Sequence, residues 1–70
     1  MRVSQRDLMR RLYREHRGNA EQTIRAFAEA ERRGDVRRAS NAYNIDAVTY
    51  ARLLFADGLR RGWLKHGGGA

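Results

Sequence analysis

Apolar residues recur at helical spacing in three stretches of the chain, and each stretch is bounded by capping or turn-forming residues. The first comprises Leu8, Met9, Leu12, Tyr13 and His16, a one-sided pattern with the 3.6-residue period of an amphipathic helix. Ser4 precedes it as an N-cap, and Asp7 follows three residues later to meet the free N–H groups and the positive end of the helix dipole. Val3 and Leu8 occupy the two positions of a hydrophobic staple. Gly18 reads as the stop, placed where a left-handed residue costs least.

Asn19 starts the second stretch at once, and Gln22 completes an Asn-x-x-Gln capping box. Ala20, Ile24, Phe27 and Ala28 line one face. Glu21, Arg25, Glu29 and Arg33 follow at four-residue steps on the other, a ladder of alternating charge. Gly34 ends it. With almost no linker at Gly18-Asn19, the first two helices meet in a sharp corner or an antiparallel hairpin.

Asp46 caps the third stretch, in which Val48, Tyr50, Ala51, Leu53, Leu54, Phe55 and Leu59 leave few polar positions. An apolar surface running most of the way round predicts a central, buried helix. Gly58 kinks or ends it, and Gly62 before Trp63-Leu64 reads as a terminator folded back onto the core. Between the second and third stretches, residues 34–45 form an irregular loop in which Asp35, Ser40, Asn41 and Asn44 favour turns. A small hairpin wing with Ser40-Asn41 at its tip is the alternative.

The fold expected is therefore all-α: a compact three-helix domain with helices over about 4–17, 19–33 and 46–62. Its core is led by Leu8, Leu12, Ile24, Phe27, Leu54, Phe55, Leu59 and Trp63. Residues 1–66 make one domain, and the glycine-rich 67–70 a flexible tail.

Composition narrows the chemistry. Seventy residues are near the smallest size that burial alone stabilises, and no cysteine is present to add a disulfide. The only imidazoles, His16 and His66, have no thiolate to join them in a zinc site, so neither metal nor cofactor is expected. No apolar run approaches the roughly 20 residues of a membrane span, and Met1-Arg2-Val3-Ser4 starts no signal peptide. This suggests a cytoplasmic protein without membrane contact. An enzyme is not expected either: His16 lies on an apolar face, no spacing forces two carboxylates together, and no glycine-rich loop joins a strand to a helix.

Charge is where the sequence points to a partner. Lys and Arg number 15 against 8 Asp and Glu, a formal net charge of +7, and every base but Lys65 is arginine. The planar guanidinium fork suits phosphate better than an ammonium does. The surplus is uneven, since the first 38 residues hold eleven bases and six acids. On the first helix Arg10 and Arg11 have acids three or four residues away, whereas Arg6, Arg14 and Arg17 have none. At about 100° per residue, Arg6, Arg10, Arg14 and Arg17 fall within an arc of roughly 80°. Arg32, Arg33, Arg37 and Arg38 bracket the loop, with only Asp35 among them.

These arginines, with Ser40, Asn41 and Asn44 to fix register, form the candidate nucleic-acid-binding set. Tyr43 in the same loop reads as an anchor to the core, with stacking on an unpaired base as the alternative. A standard helix-turn-helix is disfavoured. The third helix follows a twelve-residue loop, and only Thr49, Arg52 and Arg60 share its polar side. The function expected is a small, non-enzymatic nucleic-acid-binding protein, for DNA before RNA, in an accessory or regulatory role such as transcription regulation, and nucleoid-associated if so. The alternative is a protein-interaction module or inhibitor that docks on an acidic partner. Tyr50 and Leu53 lie off the main apolar arc of the third helix, and would face that partner or a second copy of the chain.

Overall fold

The computed structural model describes residues 3–36 and 45–65. Helix α1 spans Gln5–Glu15, α2 Ala20–Arg32 and α3 Ala47–Arg61, each shorter than the expected span by a residue or two at either end. Among the described residues all regular structure is helical, which establishes the all-α, three-helix class. The expected loop tip and wing, with Arg37, Arg38, Ser40, Asn41, Tyr43 and Asn44, lie outside the described residues, as do His66 and the 67–70 tail. No helix is long and apolar enough to cross a membrane among the described residues.

All three N-caps are the residues the sequence offers. The Ser4 hydroxyl accepts from the Asp7 N–H at 3.1 Å, the Asn19 side-chain oxygen from Gln22 N–H at 2.9 Å, and Asp46 from Thr49 N–H at 2.8 Å. Each satisfies a first-turn donor that would otherwise have no partner, worth about 1 kcal/mol.

The helix ends differ from expectation at one point. In α2 the Gly34 N–H donates to Glu31 O and the Asp35 N–H to Ala30 O, with Gly34 at φ +81°. This pair of bonds is the Schellman motif, with glycine at its left-handed position. In α1 the same two bonds run from the Arg17 N–H to Arg14 O and from the Gly18 N–H to Tyr13 O. The left-handed position of that motif is Arg17, at φ +56°, and Gly18 follows it at φ +80°. The stop expected at Gly18 therefore begins one residue earlier, on an arginine.

The core is centred on α2 and not on α3. Phe27, Ala28 and Thr23 of α2 are fully buried, with Ile24 and Ala30 beside them. Around them pack Leu8, Met9 and Tyr13 from α1, Ala51 and Phe55 from α3, and Val36 and Leu64 from the segments that follow α2 and α3. Tyr13 meets Phe55 edge-on at 5.5 Å, and Phe27 lies 6.4 Å from Tyr50. In α3 only Ala51, Phe55 and Gly58 are buried, and Leu53 is 59% exposed. The buried positions fall on one half of the helix, because its apolar residues outnumber those in phase with the core.

Other differences follow the same logic. Leu12, Leu54, Leu59 and Trp63 pack around the rim of the core, while Met9 and Leu64 are inside it. Ala20 is exposed, and its expected place on the α2 face is taken by Thr23, whose hydroxyl donates to Asn19 O at 2.7 Å and so enters the core satisfied. Gly58 neither kinks nor ends α3. It lies inside the helix because Leu64 folds onto it: a Cβ there would stand 2.8 Å from the Leu64 Cδ1. The Leu64 N–H donates to Gly58 O at 3.0 Å, and Gly62, at φ +86°, makes the turn between them.

Candidate nucleic-acid interface

Helix α1 presents two unlike flanks, and the candidate arginines divide between them. Leu8 and Met9 point inward. On one side of that buried seam lie Arg6 and Arg10, against the turn after α3. The Arg6 guanidinium carbon is 5.5 Å from the centre of the Trp63 ring and that of Arg10 is 5.7 Å away. Arg10 also donates from Nε to the Trp63 carbonyl at 3.2 Å. On the other side, Arg11 borders an open groove of about 460 Å³ between α1 and the end of α2, lined also by Val3, Leu8, Leu12, Ala30 and Arg33.

Of the arginines expected at the start of the loop, Arg33 thus shares the groove with Arg11 and does not join the stripe. Arg32 and Arg33 are also neutralised locally. Arg32 pairs with Glu29 at 3.6 Å and Arg33 with Asp35 at 3.3 Å. The four-step charge ladder of α2 is correspondingly incomplete. Glu21 does meet Arg25 at 3.3 Å, but Glu29 and Arg33 turn to nearer partners at the helix end. Arg37, Arg38, Ser40, Asn41 and Asn44 lie outside the described residues.

The α1 stripe keeps its charge. Arg10 lies 3.5 Å from Asp7, an exposed pair worth little. Arg6, Arg14 and Arg17 are exposed and have no carboxylate partner among the described residues. From Arg6 to Arg14 the row covers about 12 Å of helix at 1.5 Å per residue; Arg17, expected in phase with it, lies beyond the end of α1 in the left-handed turn. Two residues outside the expected set belong to this flank: Trp63, half-buried beneath Arg6 and Arg10, and Lys65, exposed two residues further on. Trp63 has the apolar character of a core residue, and nothing in the sequence links it to residues 53 and 57 positions away. The fit of the turn at Gly62 brings it there.

The remaining charges act as fasteners. Arg52 of α3 donates from both terminal nitrogens to Glu21 of α2, at 3.2 and 2.9 Å. This fork, with Arg25 behind it, holds the Glu21 carboxyl below its ordinary value. The N–H and hydroxyl of Thr49 lower Asp46 in the same sense. Partial burial pushes Asp57 up, but the hydrogen bonds and charges of Arg60 and Arg61 outweigh it, and its pKa is lowered. Arg52 and Arg60, expected on a common polar side of α3, are therefore both engaged with carboxylates.

Of the two residues expected to face a partner chain, Leu53 is exposed, whereas Tyr50 is half-buried with its ring near Phe27. No group of three or more metal-ligating side chains converges among the described residues. Comparison of the chain with protein-family models, with curated proteins and with solved structures finds no match.

Proposed function

We propose that the protein is a small, non-enzymatic binder of nucleic acid, duplex DNA before RNA, that grips the phosphate backbone through the outer face of α1. The observation that carries this reading is the row Arg6, Arg10, Arg14 and Arg17, which is exposed and short of carboxylates. Its helical part, from Arg6 to Arg14, is about 12 Å long and corresponds to about three and a half base-pair steps of 3.4 Å. Guanidinium groups held on one rigid face can meet successive phosphates without first being ordered.

Arg17 adds a second line of support. A left-handed backbone costs a non-glycine residue about 1–2 kcal/mol, and glycine avoids that strain. An exposed arginine without an ion-pair partner at such a position contributes nothing evident to the fold. A ligand for its side chain gives it a purpose.

The alternative docking surface has less behind it. Leu53 stands alone as an exposed leucine on α3, and single exposed apolar residues are ordinary on a soluble domain.

The reading is tested by fluorescence anisotropy with a labelled duplex at 50 and 200 mM salt. Four phosphate contacts give a slope of about −3.6 in log affinity against log salt, a loss of roughly 150-fold over that interval. Arg14→Ala with Arg17→Ala should lower the slope to about −1.8. Absence of duplex binding at low salt overturns it.

A further inference from the structure

We infer that Trp63 and the two arginines above it, Arg6 and Arg10, form a phosphodiester-binding subsite, with the indole as the positioning residue that holds both guanidinium groups side by side. The inference rests on the nucleic-acid reading and names a part of the surface that the arginine row alone does not contain.

Three observations converge on it. First, both guanidinium carbons lie within 6 Å of one ring centre, at 5.5 and 5.7 Å, inside the range in which a cation is held by the ring quadrupole. Two cations gathered at one ring leave a net positive site that an anion would relieve. Asp7 offsets only part of it, from 3.5 Å and on the Arg10 side. Arg6 has no carboxylate partner among the described residues. Lys65 places a further cation just beyond the same turn, also without one.

Second, the donors are partly committed in a way that orients the rest. Arg10 spends its Nε on the Trp63 carbonyl at 3.2 Å, and its Nη1 lies 3.5 Å from Asp7, so the plane of the group is fixed and Nη2 is the donor without a protein partner among the described residues. A guanidinium stacked on an aromatic face keeps its in-plane N–H donors available, and it is more weakly hydrated than an ammonium. Such donors match the paired oxygens of a phosphodiester.

Third, the ring is not presented as an open stacking platform. Its Nε1 is buried without a hydrogen-bond partner among the described residues, and its Cζ-side edge lies against Gly58, where a Cβ would come within 3.0 Å of Cη2. The indole edge is turned inward and its face carries cations. This favours contact with a backbone phosphate over intercalation of a base. Because Arg14 lies one helical turn beyond Arg10 on α1, the subsite extends the row instead of competing with it.

Trp63 is the only tryptophan, so its emission reports on this subsite directly. The experiment titrates the full chain with an unlabelled duplex, and with one of its single strands, while following Trp63 emission. In parallel, anisotropy gives the affinity and salt slope of Arg6→Gln, Arg10→Gln, Trp63→Phe and Trp63→Leu. The expected result is a saturable change in Trp63 emission with the duplex, and a salt slope lowered by about 0.9 in each arginine variant. Trp63→Leu should weaken binding by fivefold or more, and Trp63→Phe, which restores a π face, should recover most of it.

Thermal melts check that the variants fold. Arg6→Gln settles the matter if Trp63→Leu does not fold, because Arg6 is exposed and its guanidinium lies over the ring. Duplex binding with unchanged Trp63 emission and unchanged slopes in Arg6→Gln and Arg10→Gln overturns the subsite and leaves the broader reading standing. A response to the single strand alone overturns the duplex phosphate assignment. Absence of any nucleic-acid binding at low salt overturns both.

Discussion

Arg17 occupies in α1 the position that Gly34 occupies in α2: each is the left-handed residue of a Schellman motif, at φ +56° and +81° respectively. The two helices end by the same pair of hydrogen bonds, but only one ends on the residue type that the backbone favours.

Replacing Arg17 by glycine should therefore stabilise the fold. The relief of left-handed strain exceeds the extra chain entropy glycine adds to the unfolded state, leaving a net gain of about 0.5–1 kcal/mol. For a domain of this size that raises Tm by roughly 2–8 °C. The same variant should bind duplex DNA more weakly, with a salt slope reduced by about 0.9. Calorimetry and anisotropy on one preparation measure the opposed effects. A fall in Tm would show that the arginine side chain contributes to the corner.

Gly58→Ala should destabilise despite the better helix propensity of alanine. Propensity favours it by about 1 kcal/mol, but the new Cβ meets the buried Leu64 side chain at 2.8–2.9 Å. Overpacking of this kind costs about 1–3 kcal/mol, and the Leu64 turn must shift to accept it. Leu64→Ala makes room, so the double variant should be less destabilised than the two single changes predict together. Denaturant melts of the four proteins give the coupling directly, and strict additivity would refute the contact.

Acid should unfold the protein through three carboxylates, two exposed and one, Asp57, partly buried. Glu21, Asp46 and Asp57 are all lowered from their ordinary values of 4.5, 3.8 and 3.8 in the folded chain. Between the folded and unfolded pKa values the unfolded chain binds more protons, so stability rises with pH there. Their contribution is present above about pH 4.5 and is lost as pH falls through the folded values. Tm measured from pH 7 to 2 should drop in that window. Glu21→Gln should lower the neutral plateau and make the acid decline shallower, since the Arg52 fork no longer depends on ionisation.

Thr23→Val tests how the polar group in the core is satisfied. The Thr23 side chain is fully buried and its hydroxyl donates to Asn19 O, a carbonyl that also accepts from the Thr23 backbone N–H at 3.0 Å. Valine keeps the shape and leaves that carbonyl with a partner. The change in stability should stay within about 1 kcal/mol of zero. Thr23→Ala, which leaves a cavity at the centre of the core, should cost more than valine does. Equal losses for the two would assign the effect to the hydroxyl.

What could be read in the sequence was mostly local. Ser4, Asn19 and Asp46 were legible as caps because an N-cap needs only a short acceptor beside the donors it satisfies. The α1 stripe was legible for Arg6, Arg10 and Arg14 because the 100° step places them together whatever surrounds them; Arg17 was not, since the helix ends before it and the 100° step no longer applies. The central position of α2 was not, since counting apolar residues in α3 ignores phase: Leu53 faces out and small Ala51 and Gly58 face in. Nor was the division of the arginines between two flanks, because the Gly34 and Gly62 turns decide which flank of α1 each chain segment reaches. Trp63 looked like core for a sound reason, as it does lie at the rim of the core. Its second role needs the position of α1 as well.

The middle helix in sequence is also the middle helix in space, so most of the packing joins neighbours along the chain. The seam between α1 and α3 is the exception, where Tyr13 meets Phe55 and Arg10 meets the Trp63 carbonyl, the latter across 53 residues. Closing that long loop is the entropically expensive step. Pairing of α2 with each neighbour closes only short loops, as in other helical domains of low contact order, while the flank that carries the arginines depends on the long one. A chain caught with that seam open would keep its three helices and lose the surface they were arranged to display.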